Sequence, residues 1–295
     1  MSDFVQQQNS ICDFSSSDAW VILSPIEQSI KRKIEAVGTP LKDWNINIYR
    51  GVLTGYNDAF IISNEKRNEI LANCQTEDER QRTAELIRPI LRGRDIKRYG
   101  YDWANLYIIA TFPSRHYNID KYPSVKQYLL SFGIERLEQT GKTHVVNGEK
   151  VKARKKTSNK WFETQDSISY WDDFSKPKIV WGNLNLKASF ALVEDNSFIN
   201  APSPMIVPAS NYLLGILNSK LADYYIRKLG VTRNGGYFEY KPMFIEQLPV
   251  PVENELKSSI TEAVKQQNEE LVDRLVYTLY GLTDEEIWHV EAKNT

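Results

Sequence analysis

The sequence predicts an α+β fold: a mixed or antiparallel sheet flanked by helices, followed by a C-terminal helical segment. Helical spacing of apolar residues is found near both ends of the chain, at 25–38 and 255–280. β-Branched and aromatic runs lie between these ends, at 46–62, 106–110 and 178–207. Glycine and proline turns separate these runs, and this pattern is typical of short strands in a packed module.

The first predicted helix begins at Pro25 and ends at Gly38, with apolar positions every four residues. Two strands, 46–49 and 59–62, flank a connection punctuated by glycines. Thr76 and Glu79 then form a capping box, which opens a helix running toward the next turn.

Three longer helices are predicted from their apolar stripes. They cover 124–139, 211–229 and the acidic segment 255–280. We expect the apolar stripe of the last one either to close back on the rest of the module or to dock a catalytic partner.

Composition limits the class of protein. The 295 residues are 41% hydrophobic and 25% charged, which is enough apolar material for a packed core. No membrane span is predicted, because the sequence contains no run of about 18 apolar residues. The two cysteines lack CxxC spacing, and no signal peptide is visible, which favours a reducing, cytoplasmic setting.

The net charge of −1 hides an uneven distribution. Residues 246–295 contain 11 acids and 4 bases, so the rest of the chain contains 33 bases and 27 acids. Because the Debye length at physiological salt is about 8 Å, local clusters matter more than the sum.

The densest cationic cluster lies in the turn 89–99, just before the strand 106–110. Four cations and one aromatic follow each other there: Arg92, Arg94, Lys97, Arg98 and Tyr99. Cations on a turn anchored by buried structure suit a phosphate backbone. The alternative is a solvated turn whose arginines pair with Glu85 and Asp95.

Two further cationic segments have the same character. Residues 148–162 combine six cations with one acid and end in two aromatics; their low apolar content predicts a mobile loop that orders on DNA, or simply a solvated loop. Residues 233–237 form a third cationic turn, built on two glycines.

Signatures of catalysis are scarce. The three histidines are separate from each other and from the cysteines, which argues against a zinc site. Gly141 starts a Gly-Lys-Thr sequence, but Arg136 stands where a phosphate-binding loop needs its first glycine. No Gly-x-Gly cofactor turn occurs. We expect no catalytic or metal site in this chain.

One enzymatic alternative stays open at this point. Asp95 and Lys97 have the Asp-x-Lys spacing of metal-dependent nucleases, although no Pro-Asp dipeptide supplies the customary second acid. A third class, a protein-interaction module of a defence complex, would use the basic loops to meet an acidic partner.

Six motifs in order resemble the TaqI-like specificity, or target-recognition, domain of adenine-N6 DNA methyltransferases and Type IIG restriction–modification enzymes. The segments that carry the resemblance are Gly51–Phe60, Ile90–Tyr99, Trp161–Phe162 with Lys176–Val180, Leu213–Leu221, Phe244–Pro251 and Leu275–Thr283. Together they cover nearly the whole chain.

The resemblance implies a module that docks into the major groove of double-stranded DNA and reads a short sequence. In such enzymes a Rossmann-like domain binds S-adenosylmethionine and carries an Asn-Pro-Pro-Tyr motif. This chain has no Pro-Pro dipeptide, so we expect no cofactor here. Its partner would be an adenine methyltransferase catalytic domain or subunit, with no role for a membrane; the chain is either a fragment or a separate specificity subunit.

With this resemblance, three regions are predicted: 1–45 as an N-terminal helical lead-in, 46–250 as the DNA target-recognition domain, and 251–295 as acidic C-terminal helices. Arginines read guanine bidentately, so one or two of Arg94, Arg154 and Arg233 are predicted to reach base edges, with the lysines on phosphates. The predicted DNA-binding residues are Arg50, Arg92, Arg94, Lys97, Arg98, Tyr99, Lys152, Arg154, Lys155, Lys156, Lys160, Trp161, Arg233 and Tyr237.

Overall fold

The computed structural model describes residues 23–230 and 232–293. Its helices are α1 Pro25–Val37, α2 Asn57–Phe60, α3 Asn64–Ala72, α4 Glu77–Leu86, α5 Pro123–Leu130, α6 Ile134–Leu137, α7 Asn211–Asn218, α8 Lys220–Leu229, α9 Pro242–Ile245, α10 Lys257–Lys265, α11 Glu269–Leu279 and α12 Asp284–Lys293. The part of the N-terminal lead-in before Leu23 lies outside the described residues.

The strands are short and number two to five residues each. They are β1 Thr39–Pro40, β2 Asn47–Arg50, β3 Ile61–Ser63, β4 Ile87–Leu91, β5 Ile96–Lys97, β6 Gly100–Tyr101, β7 Leu106–Ile109, β8 Thr143–Val146, β9 Glu149–Lys152, β10 Lys178–Trp181, β11 Leu184–Asn185, β12 Phe190–Val193, β13 Phe198–Ile199, β14 Pro204–Val207, β15 Phe238–Glu239 and β16 Pro249–Val250.

Helices and sheets divide into two compact units. The central unit comprises Ile46–Asn185 and Ser189–Ser210; the terminal unit comprises 23–45, Leu186–Ala188 and the described residues from Asn211 onward. Residues 211–250 therefore pack with the terminal helices. The three-region division at 45 and 250 concerns DNA recognition and stays a prediction.

Two four-stranded sheets lie in the central unit. In the first, the order is β12-β10-β14-β2 and every pair is antiparallel. In the second, β13-β4-β7-β3, β13 runs parallel to β4 and the other pairs are antiparallel. The prediction of a mixed or antiparallel sheet within an α+β fold is confirmed.

The core of the central unit is built on buried residues of β4, β10, β12 and β14. All four residues of β10 are buried, and Val180 lies opposite both Ala191 and Met205 in the sheet register. Ile90 and Leu91 of β4 are fully buried in the same cluster. Burial of such side chains stabilises the fold by roughly 1.5–3 kcal/mol each, and it fixes the point at which β4 ends and the basic turn begins.

Local capping determines where α1 begins. Ser24 and Glu27 form a complete capping box, in which each side chain accepts a hydrogen bond from the other's backbone N–H. Ile30 and Ile34 are buried, as the four-residue spacing predicts. The helix ends at Gly38, where a Cβ atom would lie 2.4 Å from the carbonyl carbon of Pro249, so only glycine fits.

Around Thr76 the reciprocal arrangement is only half present. Its hydroxyl accepts from the N–H of Glu79 at 3.1 Å. The Glu79 carboxylate instead accepts from the N–H of Gln75 at 2.8 Å and from that of Ser124 at 3.0 Å. Glu79 thus joins the beginning of α4 to the beginning of α5.

Three predicted helices are each divided in two. The segment 124–139 breaks at Gly133, whose φ is +81°. The segment 211–229 breaks at Ser219, which caps α8. The segment 255–280 breaks before Asn268, which caps α11. Likewise, the predicted strand 59–62 begins only at Ile61, because Asn57–Phe60 is a helical turn.

The stripe of the acidic C-terminal segment packs inside the terminal unit. Ile260 and Val264 of α10 are buried against α7. A Cβ atom at Gly215 would meet methyl groups of these two residues at 2.9 and 2.8 Å. The stripe therefore closes back on a helix of its own unit. Among the described residues, no helix has both the length and the apolar character needed to cross a membrane.

Candidate nucleic-acid interface

The basic turn, residues 92–99, begins where β4 ends and is closed by an ion pair. Asp95 Oδ2 accepts from the backbone N–H of Arg92 at 2.8 Å and from its Nε at 2.9 Å, while Oδ1 accepts from Nη2 at 2.7 Å. Burial alone would raise the pKa of Asp95, but these hydrogen bonds hold it below its usual value. The pair fixes the shape of the turn.

This geometry gives Arg92 a structural role. The guanidinium engages Asp95 through two parallel hydrogen bonds, and the Arg92 side chain is 23% exposed. This is the pairing with Asp95 that the solvated-turn alternative named, and the phosphate contact of Arg92 stays a prediction.

The same pair bears on the nuclease alternative. Both oxygens of the buried Asp95 carboxylate accept hydrogen bonds from Arg92, so a metal ion at Asp95 would have to displace the bidentate guanidinium. Within residues 23–230 and 232–293, no three His, Cys, Asp or Glu side chains are grouped so that they could hold a metal ion.

The remaining cations of the basic turn point to solvent or pack on an aromatic ring. Arg94 and Lys97 are exposed, and Lys97 Nζ donates to the carbonyl of Arg94 at 2.9 Å. Arg98 lies 5.2 Å from the centroid of the Tyr99 ring. Tyr99 has a φ of +63° and donates its N–H to the Phe190 carbonyl at 2.9 Å. Exposed charge is thus carried on a backbone that is tied to the sheet.

The first part of the segment predicted as a mobile loop is a strand. Strands β8 and β9 form an antiparallel hairpin, which we call the basic hairpin, with Val146 opposite Glu149. Asn147 and Gly148 connect the strands with φ values of +52° and +84°, as a two-residue type I′ turn requires. The Asn-Gly dipeptide is the sequence signal of this hairpin; the ordering of residues 153–162 on DNA stays a prediction.

Arg154, a predicted base reader, is instead buried. The whole residue is only 3% exposed. Its guanidinium donates to four carbonyls, at distances of 2.7–2.8 Å: those of Thr54, Leu137, Trp161 and Glu163. Burial lowers the pKa of Arg154 to about 10. Because these donors are used inside the protein, Arg154 joins chain segments; a DNA contact by this residue stays a prediction.

The lysines next to Arg154 have the opposite environment. Lys152, Lys155, Lys156 and Lys160 are exposed. Trp161 is half-buried, with its ring edge-to-face against Phe162 at a centroid distance of 5.5 Å. The buried arginine and this aromatic pair therefore fix the backbone from which the exposed ammonium groups project.

Arg50 lies at the end of β2 and is paired but accessible. Its Nη2 is 2.9 Å from Asp166 Oδ2, and its side chain is 63% exposed. The Tyr170 hydroxyl donates to the Arg50 carbonyl at 2.9 Å, which fixes the backbone there. An exposed pair of this kind is worth only about 0–1 kcal/mol, so a phosphate can compete for the guanidinium.

Arg233 and Tyr237 belong to the terminal unit, whereas the other predicted residues belong to the central unit. Arg233 Nη2 lies 2.8 Å from Glu239 Oε1, and Tyr237 is 42% exposed. Hydrogen bonds from Lys241 and Arg233 lower the pKa of Glu239. The prediction that Arg233 shares one face with Arg94 and Lys155 stays a prediction.

Sequence reasoning missed one cation of the hairpin. Lys142 is exposed, and its carbonyl accepts from the N–H of Ala153 at 2.9 Å. It therefore lies across from residues 148–162, which we call the basic segment. The strand pairing that brings it there follows from the Asn147–Gly148 turn, which is the signal that could have found it.

Comparison with known proteins places these features in a family. The TaqI-like C-terminal specificity domain matches residues 88–250, more than half of the chain. Curated relatives include the Type II methyltransferase M.XhoI from Xanthomonas vasicola, 22% identical over 285 residues, and M.PaeR7I from Pseudomonas aeruginosa, 21% identical over 282 residues. Each match covers 92% of this chain but 47% and 44% of those proteins, so the chain spans less than half of their length.

Solved structures agree on the fold. The Type IIL restriction–modification enzyme MmeI, solved in complex with DNA, matches with a TM-score of 0.57 and 12% identity over 87% of this chain and 36% of its own. The Type IIG restriction endonuclease BpuSI matches with a TM-score of 0.50 and 12% identity over 92% and 33%. On the evidence of the matched segment 88–250, the chain belongs to the family of TaqI-like C-terminal specificity domains.

Proposed function

We propose that this chain is the DNA-specificity part of a restriction–modification adenine-N6 methyltransferase. It binds double-stranded DNA and selects a short sequence, and the methyl transfer is carried out by another part of the system. The observation that carries the proposal is the set of exposed cations on anchored turns within the family-matched segment: Arg94, Lys97, Lys152, Lys155, Lys156 and Lys160.

Anchoring explains why these cations suit DNA. A lysine on a disordered tail loses backbone entropy when it binds, at roughly 1–2 kcal/mol per residue that becomes ordered. The basic turn is held by the Arg92–Asp95 pair, and the basic segment is held by Arg154. Their backbones are therefore ordered before DNA binds. Phosphate binding then releases counterions with little further loss of backbone entropy.

The catalytic part of the system follows from the relatives' names. We propose that a methyltransferase domain or subunit accompanies this chain, that it binds S-adenosylmethionine, and that the complex acts in the cytoplasm. The chain spans less than half of the length of the matched relatives, which supports a larger assembly. In this division of labour, the specificity module positions the duplex, and the partner modifies the base.

The test is a binding measurement with the full chain. The protein is incubated with a pool of randomised DNA duplexes, and the retained duplexes are sequenced and then titrated by fluorescence anisotropy. We expect a consensus sequence bound at least about 1,000-fold more tightly than random duplex. The double variant Lys155→Gln/Lys156→Gln weakens binding to every duplex alike, because phosphate contacts carry no sequence information.

A matched control is Lys265→Gln, which removes an exposed lysine of α10 in the acidic C-terminal segment and leaves binding unchanged. If the wild-type chain retains no duplex at low salt, the proposed function is wrong, and the basic surface serves an acidic protein partner instead.

A further inference from the structure

The basic hairpin has one face that the protein does not use. Among the described residues, β8 and β9 pair only with each other. Thr143 lies opposite Lys152, and Val145 lies opposite Lys150, so these four side chains share one face of the ribbon. All four residues are exposed, and Val145 is 72% exposed. We call this surface the outer face.

The opposite face is turned toward the rest of the central unit. His144 Nε2 lies 3.5 Å from Glu138 Oε2, and Val151, across the ribbon from His144, is half-buried. Arg136 donates to the carbonyl of Lys152 through Nη1. The hairpin is thus supported from one side only, and the outer face has no packing role.

The base of the ribbon is fixed by backbone hydrogen bonds around Arg154. Its N–H donates to the Glu138 carbonyl at 2.9 Å, and its carbonyl accepts from the N–H of Gly141 at 2.8 Å. The buried guanidinium of Arg154 is hydrogen-bonded inside the protein, so the backbone at the base of the ribbon is held in place from both sides. Its direction is therefore set by the fold before any ligand binds.

Charge identifies the kind of partner that the outer face meets. Residues 142–160 contain six lysines and a single acid, Glu149. Such a surface is complementary to a polyanion. An exposed β-branched valine with a lysine directly across from it matches base-pair edges in the major groove, where an A·T pair offers a thymine methyl group and a G·C pair offers guanine acceptors.

Shape points the same way. The major groove of B-DNA, about 12 Å wide, admits a two-stranded β-ribbon. The basic hairpin is such a ribbon, with a tight two-residue turn at Asn147–Gly148 that adds no bulk at its tip. The lysines that follow it, Lys155 and Lys156, are then placed to contact phosphates beside the groove.

We propose that the basic hairpin enters the major groove and that Thr143, Val145 and Lys150 contact base edges, so that the outer face sets part of the recognised sequence. This inference rests on the proposed function and deepens it, because it assigns base reading to a surface that no sequence motif marks. Arg154, one of the arginines considered as a base reader, supports the basic hairpin through the hydrogen bonds at its base.

The test uses the consensus duplex selected by the full wild-type chain and a panel of duplexes that each carry one substituted base pair. Val145→Ala and the double variant Thr143→Ala/Val145→Ala are titrated against this panel and against random duplex. We expect discrimination at one or two neighbouring base pairs to fall about fivefold or more, while the affinity for random duplex stays unchanged.

Lys121→Ala is the matched control, because Lys121 is exposed in the central unit and lies outside the basic hairpin. Equal unfolding midpoints show that the substitutions leave the fold intact. If the double variant keeps the wild-type preference at every position, or weakens all duplexes equally, the inference is overturned while the proposed function stands. If the wild-type chain selects no sequence, both are overturned.

Discussion

Individual cationic residues have different roles in this protein, depending on whether they are buried or exposed. Arg154 and Lys178 are cations with almost no exposure, whereas their sequence neighbours Lys155 and Lys176 are exposed. A buried cation survives only where hydrogen-bond acceptors surround it. Composition therefore located the cationic segments, but burial, which depends on distant carbonyls such as that of Thr54, could not be read from the sequence.

Replacing Arg154 should destabilise the protein severely. Arg154→Ala removes a donor from four buried or half-buried carbonyls, of which that of Glu163 keeps a second donor, Gln139 Nε2, so we expect the free energy of unfolding to fall by about 3–5 kcal/mol. Arg154→Lys should restore little of the lost unfolding free energy, because one ammonium group cannot replace the planar guanidinium. Urea denaturation measures both. Lys155→Ala, at the adjacent exposed position, should change stability by less than about 0.5 kcal/mol; similar losses at both positions would contradict the structural role of Arg154.

Lys178 should give the stability an alkaline pH dependence. Its Nζ donates to the carbonyls of Phe174 and Asp195 at 2.8 and 2.7 Å, and burial lowers its pKa to about 8, against the attraction of Asp195. In the unfolded chain the pKa is about 10.4. Between these values the unfolded chain binds a proton that the folded chain has released, so the free energy of unfolding rises with pH.

We therefore expect unfolding free energy to increase from pH 8 to 10, with a slope of at most about 1.4 kcal/mol per pH unit, and Lys178→Met to remove this increase. Half-buried tyrosines such as Tyr170, whose pKa is raised to about 12, act in the opposite direction, but only from about pH 10 upward. Denaturant titrations at several pH values measure the slope. An equal slope in the methionine variant would exclude Lys178 as its source.

At the scale of elements, helix positions were predictable and helix ends were not. Apolar spacing continues through Ser219, so 211–229 reads as one helix. The break is made by polar contacts: Ser219 Oγ donates to the Ile216 carbonyl at 2.7 Å and accepts from the N–H of Ala222 at 3.2 Å. Asp273, more than fifty residues away, accepts from the N–H of Lys220 at 2.8 Å. Only the last contact lies beyond local sequence.

The cap on α8 gives a prediction at this scale. Ser219→Ala removes the hydroxyl that caps the helix, whereas the Ile216 carbonyl keeps the backbone N–H of residue 219 as a donor at 3.0 Å, so we expect the loss of a cap alone, about 1 kcal/mol in unfolding free energy. Ser259→Ala, at an exposed position inside α10, should be neutral or slightly stabilising because alanine has the higher helix propensity. Thermal or urea unfolding distinguishes the two, and a neutral Ser219→Ala would show that other contacts impose the break.

At the scale of the whole molecule, the fold class and the family were predictable because the motifs are local runs of residues. The sheet order was not. The parallel pairing of β13 with β4 joins residues about 108 positions apart, Phe198 with Ile90, and no local pattern encodes such a pairing. For the same reason the cationic turns could be recognised one by one, while their arrangement in space could not.

Electrostatics acts over the whole surface, and its strength can be measured. With about five phosphate contacts, the logarithm of the DNA association constant should fall against the logarithm of salt concentration with a slope of about −4 to −5. Lys155→Gln/Lys156→Gln should make this slope shallower by nearly 2, because each lost phosphate contact removes about 0.9. Lys265→Gln should leave it unchanged. A slope near zero in the wild-type chain would rule out phosphate contacts as the basis of binding.

The order of the two units along the chain has a consequence for engineering. The central unit is an insertion: the chain enters it at Ile46, leaves it for three residues at Leu186–Ala188, and leaves it finally after Ser210. Both ends of the described chain belong to the same terminal unit. A chimera that exchanges the whole cassette 46–210 between relatives must therefore retain the host's residues at 186–188, or the exchange will carry three foreign residues into the helical scaffold.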